Sequence, residues 1–178
     1  MSVWDTIGKA NATQGGTPFA PGTRGICTVL ALREKTSSEG KGEILILEAA
    51  IETSEKKSDK YLTNVSKNEQ ADVLTQSPGT EVSSVYMLTQ HKAAPGAAKA
   101  MLLAVVGENE SSLTPEAWQK IVELAKHDNG ALLRGTKVGF DVYTKETKVR
   151  KLTIHPVKFT HIEQTDEEIE ANAKRYTK

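Results

Sequence analysis

The sequence predicts a mainly β fold: a small five-stranded barrel with helices inserted between its third and fourth strands, and a short C-terminal helix. The main evidence is a pair of apolar runs at 25–33 and 43–52, joined by a connection without any apolar residue. Both faces of the first run are largely apolar, with Ile26, Leu30 and Leu32 on one face and Cys27, Val29 and Ala31 on the other. Because neighbouring side chains in a strand point to opposite faces, we expect this hairpin to lie at the centre of a barrel or sandwich.

Three further runs complete the predicted strands, at 81–89, 136–143 and 151–162. In the fourth strand, Val138, Phe140 and Val142 alternate with polar residues and are expected to face inward. In the fifth strand the apolar positions change parity at Pro156. This change predicts a bulge or a barrel corner there, because proline cannot donate to a strand ladder.

Helices are predicted between the third and fourth strands and at the C-terminus. The first runs over 94–106, and the second begins at Thr114, which is followed by proline at the first helical position. Thr165 and Glu168 form a capping box that opens a helix to about Tyr176. Its composition is mostly polar, so we expect a marginal tail or one that orders on a partner.

The predicted organisation is an N-terminal arm at 1–23, a β domain at 24–162 and a C-terminal helix or tail at 163–178. The arm is rich in Gly, Ser, Thr, Asn and Pro, which predicts a flexible segment. The domain contains a long polar loop at 53–80 and a helical insertion at 94–128. Five strands with a helix between the third and fourth follow the chain order of an OB-fold, so we expect an OB-like barrel.

Composition excludes several classes of protein. The 23 basic and 23 acidic side chains balance, which argues against a surface that binds phosphate everywhere but not against a local basic groove. Cys27 is the only cysteine, so neither a disulfide within the chain nor a thiolate cluster is expected, and a buried Cys27 is favoured over a reactive one. No run of about 20 apolar residues predicts a membrane span, and no signal peptide is recognisable. We expect a soluble protein of a reducing compartment.

Catalytic motifs are absent from the sequence. It contains no P-loop, no GxGxxG after a strand, no HExxH and no GxSxG. The predicted bulge at Pro156 sends His155 and His161 to opposite faces, which argues against a shared metal ion. We therefore expect no enzyme activity, no cofactor and no metal.

Basic residues and tyrosines instead collect at predicted strand ends and hairpin tips. Single-stranded nucleic acid needs cations for phosphates and rings for bases, and in an OB-like barrel the first and last hairpins flank the binding groove on strands two and three. Solvated, functionless loops are the alternative explanation. The candidate nucleic-acid-binding residues are Lys56, Lys57, Lys60, Tyr61, Tyr86, Tyr143, Lys145, Lys148, Arg150 and Lys151.

The chain resembles the single-stranded DNA-binding proteins of tailed bacteriophages, which have OB-fold architecture. The resemblance covers roughly residues 15–162. Its motifs are Pro21-Gly22, the charged tip at 33–42, the strand at 44–48 with Glu52-Thr53-Ser54, the segments 79–83, 105–107 and 133–138, and the hairpin at 144–148 before Phe159.

The resemblance implies sequence-independent binding of single-stranded DNA during phage DNA replication or recombination, in the cytoplasm of a bacterial host. It implies single-stranded DNA as partner, with replication or recombination proteins and self-association left open, and no membrane. Many proteins of this family end in an acidic tail that recruits partners or masks the groove. This chain ends in Ala173-Lys174-Arg175-Tyr176-Thr177-Lys178, which is basic, so recruitment through a tail is in doubt.

Two other functions remain open from the sequence. One is a non-enzymatic phage structural or interaction protein, or an inhibitor of a host protein, which the neutral charge and scarce aromatic residues favour. The other is a protein that sequesters a small nucleotide signal.

Overall fold

A computed structural model describes residues 17–36, 42–57, 74–146 and 153–177 of the chain. The strands are β1 (Thr17–Pro18), β2 (Thr23–Thr36), β3 (Glu43–Lys56), β4 (Glu81–Met87), β5 (Lys137–Val142), β6 (Lys145–Glu146), β7 (Thr153–Ile154) and β8 (Val157–His161). The helices are α1 (Ala94–Val106), α2 (Pro115–Lys126) and α3 (Asp166–Tyr176), with 3-10 turns at Glu110–Ser112 and His127–Leu133.

Six strands form one open mixed sheet in the order β1-β4-β3-β2-β5-β8, so the described fold is mainly β but is not a closed barrel. All neighbours are antiparallel except β1 and β4. The predicted central hairpin is confirmed, since β2 and β3 lie in the middle of the sheet. The two strands are longer than predicted, and Thr53 to Lys56, assigned from the sequence to the long loop, belong to β3.

One face of the sheet packs on the hydrophobic core with α1; we call the opposite face the outer face. Val138, Phe140 and Val142 face the core, as predicted from their alternation, and Cys27 is buried as expected. In β2 Cys27 and Val29 share the core face, as predicted, but an extra residue at Leu30 reverses the alternation after it. As a result Leu32 faces the core, which the predicted faces did not allow. The other irregularity, after Ile26, is an extra residue in β3, Glu52.

Local signals placed the helices correctly. α1 covers the predicted range and ends at Gly107, whose φ of 76° is left-handed. Thr114 caps α2 through its side chain, and Thr165 and Glu168 form the predicted capping box of α3. The fifth predicted strand is interrupted at His155 and Pro156, which confirms the break expected there.

Two predicted boundaries change. Phe19, assigned to the flexible arm, is buried and stacks its ring against Phe140 and Phe159, with ring centroids 5.0 Å and 5.7 Å away. The C-terminal helix, expected to be marginal or to order on a partner, is docked on the sheet through Asn172, Tyr176 and Arg175. Residues 1–16 of the arm and 58–73 of the long loop lie outside the described residues.

Candidate nucleic-acid interface

A row of charged side chains crosses the outer face near one end of the sheet. The register pairs Arg24 of β2 with Glu55 of β3 and with Asp141 of β5, and Asp141 in turn with Lys158 of β8. Asp141 and Lys158 alternate with core residues of β5 and β8, and Arg24 and Glu55 are paired with them in register, so all four side chains point away from the core. Arg24 Nε donates to Glu55 Oε1 at 2.7 Å. We call Glu55, Arg24, Asp141 and Lys158 the charged row.

Lys57 and Tyr143 extend the charged row beyond the ends of β3 and β5. The Lys57 ammonium contacts Asp141 Oδ1 and lies 3.8 Å from the centroid of the Tyr143 ring, a cation–π geometry. The Tyr143 hydroxyl donates to Asp141 Oδ2 at 3.3 Å. Two predicted site residues from distant parts of the chain therefore meet at this end of the sheet.

Lys57 does not present its charge to solvent. Its side chain is only 2% exposed, and burial, aided by the positive charge of Arg24, lowers the pKa of Lys57. Direct phosphate contact, the role predicted for Lys57, does not fit this burial. Its geometry instead suits a positioning residue that holds the Tyr143 ring against the sheet.

Tyr86 is also placed differently from its predicted role. It lies on the core face of β4 with Val82, is 7% exposed, and burial raises the pKa of its hydroxyl to about 12. A ring in this position cannot stack on a base. The sequence carried the relevant signal, because Tyr86 shares its strand parity with Val82.

The other predicted site residues are only partly described. Lys56 is exposed at the end of β3, beside Lys57. The structure describes the backbone of Lys145, in the short β6–β7 ladder. Predicted site residues outside the described residues are Lys60, Tyr61, Lys148, Arg150 and Lys151.

Helix α3 covers part of the outer face farther along the strands. Asn172 is buried, and its amide donates to Thr28 Oγ1 at 2.8 Å and to the Gly135 carbonyl at 2.9 Å. Gly135 has a φ of 91°, and a Cβ there would lie 2.2 Å from the Ile169 carbonyl oxygen. The helix can approach this closely only because position 135 has no side chain.

Glu52 fastens the C-terminal end of α3 to β3. Its Oε1 accepts hydrogen bonds from the Tyr176 and Thr28 hydroxyls, both at 2.7 Å, and Arg175 lies 3.6 Å from its Oε2. Burial alone would raise the pKa of Glu52, but these hydrogen bonds and the charges of Arg175 and Lys137 outweigh it and lower the pKa. The ionised carboxylate of Glu52 therefore stabilises α3 in its docked position.

Sequence reasoning missed Arg24 and Lys158 as members of this surface. Both are exposed and basic. Neither lies at a hairpin tip, and they become neighbours only through the pairing of β2 and β8 with β5. Their outward parity follows from simple alternation with buried Phe159 and Cys27, since β2 runs regularly from Arg24 to Thr28, but parity alone does not show that the two residues lie on neighbouring strands.

A separate cavity of about 740 Å³ lies between β4 and the β7–β8 segment, away from the charged row. Val85 and Ile154, 41% and 42% exposed, line it, and its described lining includes no Lys, Arg, Asp or Glu. Phosphate groups need cationic partners, so this uncharged seam suits apolar contacts better than a nucleic-acid backbone.

Comparison with known proteins gives no relative: no protein-family model matches the chain, and no curated protein matches it significantly. Within the described ranges, no cluster of three or more His, Cys, Asp or Glu side chains could hold a metal ion. None of the described helices combines the length and apolar character needed to cross a membrane.

Proposed function

We propose that this chain is a non-enzymatic protein that binds single-stranded DNA without sequence preference and supports phage DNA replication or recombination. The order of β2, β3 and β4, then α1 and α2, then β5 and β8 supports an OB-like architecture, open between β4 and β8. The bacteriophage resemblance of the sequence supports the biological setting.

The observation that carries the proposal is the contact of Lys57 with Tyr143 beside Arg24 and Lys158. Exposed cations and a half-buried aromatic ring on one surface are what a single strand needs for its phosphates and its bases. We assign phosphate contacts to Arg24 and Lys158, and stacking to Tyr143. Lys56 is exposed too, but it has the opposite strand parity to Glu55 and Lys57, so the predicted phosphate contact does not fit its position. Lys57 acts on the strand through the ring that it holds.

The first test is the salt dependence of binding to a fluorescently labelled oligothymidylate, measured by anisotropy. Two phosphate contacts on a single strand give a slope of log affinity against log salt of about −1.4. A slope near zero, or no binding at about 50 mM salt, contradicts the proposal, since sequence-independent binding depends on counterion release.

Tyr143→Ala and Tyr143→Phe separate the ring from its hydroxyl. The phenylalanine variant keeps the flat ring under Lys57 and loses only the 3.3 Å hydrogen bond to Asp141, so we expect affinity near that of the wild type. The alanine variant loses one stacked base, which corresponds to about a tenfold weaker Kd in the same anisotropy assay. Equal affinities for all three proteins would remove Tyr143 from the interface.

The uncharged seam between β4 and the β7–β8 segment favours a second candidate function, a structural or interaction protein or an inhibitor of a host protein. Its exposed Val85 and Ile154 offer an apolar surface of the kind that binds proteins. A chain that binds no oligonucleotide at low salt would fit this function instead.

A further inference from the structure

A trough of about 620 Å³ runs across the outer face next to the charged row. Its floor is a second row of residues, two positions farther along each strand, that the register aligns across β3, β2, β5 and β8: Thr53, Ile26, Gly139 and Thr160. Arg24, Glu55 and Asp141 of the charged row form one side of the trough. Thus a channel lined by polar side chains together with Ile26 and Phe140 follows from the strand register.

The depth of the trough comes from Gly139. Glycine weakens a strand and often marks a position where a ligand or another backbone approaches closely. At Gly139 the fold does not require glycine: its φ is not left-handed, and a Cβ there would meet its nearest neighbour, Thr160 Cβ, at an ordinary 3.5 Å. At Gly25, in contrast, a Cβ would lie 1.9 Å from the Thr53 carbonyl oxygen, so packing alone accounts for that glycine.

Basic groups lie on both sides of this floor. Arg24 and Lys158 belong to the charged row on one side. On the other side are Lys137, which lies near Glu52, and Arg175 of α3, whose guanidinium is 5.4 Å from the Tyr176 ring centroid. Phosphates on either side of a strand lying in the trough would therefore meet a cation.

The strand register limits how wide a ligand the trough can hold. Beyond the trough floor the next pair of residues is Thr28 and Lys137, and Asn172 of α3 covers Thr28 by a hydrogen bond. From Asp141 to Lys137 there are four residue steps, which span about 13 Å before side-chain volume is subtracted. We infer that this space suits one nucleotide chain better than a duplex.

We propose that this trough is a nucleotide-binding subsite, in which one base or sugar of a single strand lies flat on Ile26 and on the bare backbone of Gly139. The adjoining phosphates contact Arg24 and Lys158 on one side and Arg175 on the other. The subsite rests on the proposed single-strand binding, and it makes α3 a wall of the binding surface. Gly139 is then a specificity-determining position, because a side chain there would occupy the space that the base or sugar takes.

Gly139→Leu tests the subsite, with Gly96→Leu as the matched control. A Cβ at 139 meets its neighbours only at ordinary contact distances, and the rest of the leucine side chain is expected to fill the trough. Gly96 is exposed on α1, and a Cβ there meets nothing within 4 Å. We expect Gly139→Leu to weaken binding of a labelled oligothymidylate at least about tenfold, the loss of one base contact. Gly96→Leu should bind within about twofold of the wild type, by anisotropy on folded proteins of matched circular dichroism.

A second pair of variants keeps the subsite testable if the leucine variant does not fold. Thr160→Glu places a carboxylate on the floor of the trough, and Thr36→Glu makes the same change at an exposed position at the other end of β2. We expect only Thr160→Glu to weaken single-strand binding, and the wild type to bind the same sequence as a duplex at least about tenfold more weakly.

The outcomes separate the two proposals. Wild-type binding that is weakened in Gly139→Leu or Thr160→Glu, with the matched control unchanged, supports the subsite. Wild-type binding that neither variant changes overturns the subsite and leaves the proposed function standing. Absence of oligonucleotide binding by the wild type overturns both.

Discussion

At the scale of single residues, the alternation of apolar and polar residues predicted the buried face of β5 correctly and that of β2 only in part. Val138, Phe140 and Val142 were assigned to the core correctly, because β5 is regular through these positions. Leu32 was assigned to the same face as Ile26, and the extra residue at Leu30 reverses that relation. A bulge is defined by how a strand pairs with its partner, so the apolar pattern of β2 alone does not predict it.

Glu52 makes stability depend on pH. Its pKa in the folded protein is below its ordinary value of 4.5, so the unfolded chain binds more protons at this site once the pH approaches that value. The stabilisation is fully present above about pH 4.5 and is lost as the pH falls through the folded pKa. We expect the wild-type Tm to fall on acidification over this range, measured by thermal melts from pH 7 to pH 3.

Glu52→Gln should lower the Tm at pH 7 by about 2–4 °C, since neutral hydrogen bonds replace charge-assisted ones. It should also flatten the fall in Tm below about pH 4.5. Glu123→Gln, at an exposed position of α2, serves as the control and should leave the pH profile unchanged. Parallel profiles for Glu52→Gln and the wild type would show that Glu52 does not hold α3.

At the scale of elements, local sequence signals predicted where the helices begin and end, but not that α3 packs on the sheet. Proline at the first position and a threonine cap placed α2, and the capping box placed α3. The prediction of a marginal or partner-dependent tail was wrong because the partners of α3, Thr28 and Gly135, are distant in sequence. The mostly polar face of α3 is used by hydrogen bonds to the sheet, which a search for apolar stripes does not detect.

Two glycine substitutions should shift stability in opposite directions. Gly135→Ala forces a Cβ into a left-handed residue and against the Ile169 carbonyl, so we expect a loss of at least about 2 kcal/mol and a Tm lower by at least about 4 °C. Gly96→Ala, at an unobstructed helical position, should gain about 0.5–1 kcal/mol. Thermal melts of both variants measure this, and an unchanged Tm for Gly135→Ala would contradict the close packing of α3 on this turn.

At the scale of the whole molecule, the central hairpin and the β-strand order along the chain were predictable, because they follow from runs of apolar residues and their turns. The sheet order and the surface that it creates were not. Arg24, Asp141 and Lys158 become neighbours only through pairings between strands far apart in sequence. The candidate site therefore had to be found from register, and the predicted cluster of tyrosines and lysines is reduced, among the described residues, to Lys57 and Tyr143.

The most direct measurement is photo-crosslinking of the wild-type protein to an oligothymidylate that carries 4-thiothymidine, followed by mass spectrometry of the crosslinked peptides. We expect crosslinks on the outer face, in peptides that contain residues 24–26, 53–56, 139–143 and 158–160. Crosslinks confined to α2 or to the seam lined by Val85 and Ile154, or no crosslinks at low salt, would contradict single-strand binding by the outer face of the sheet.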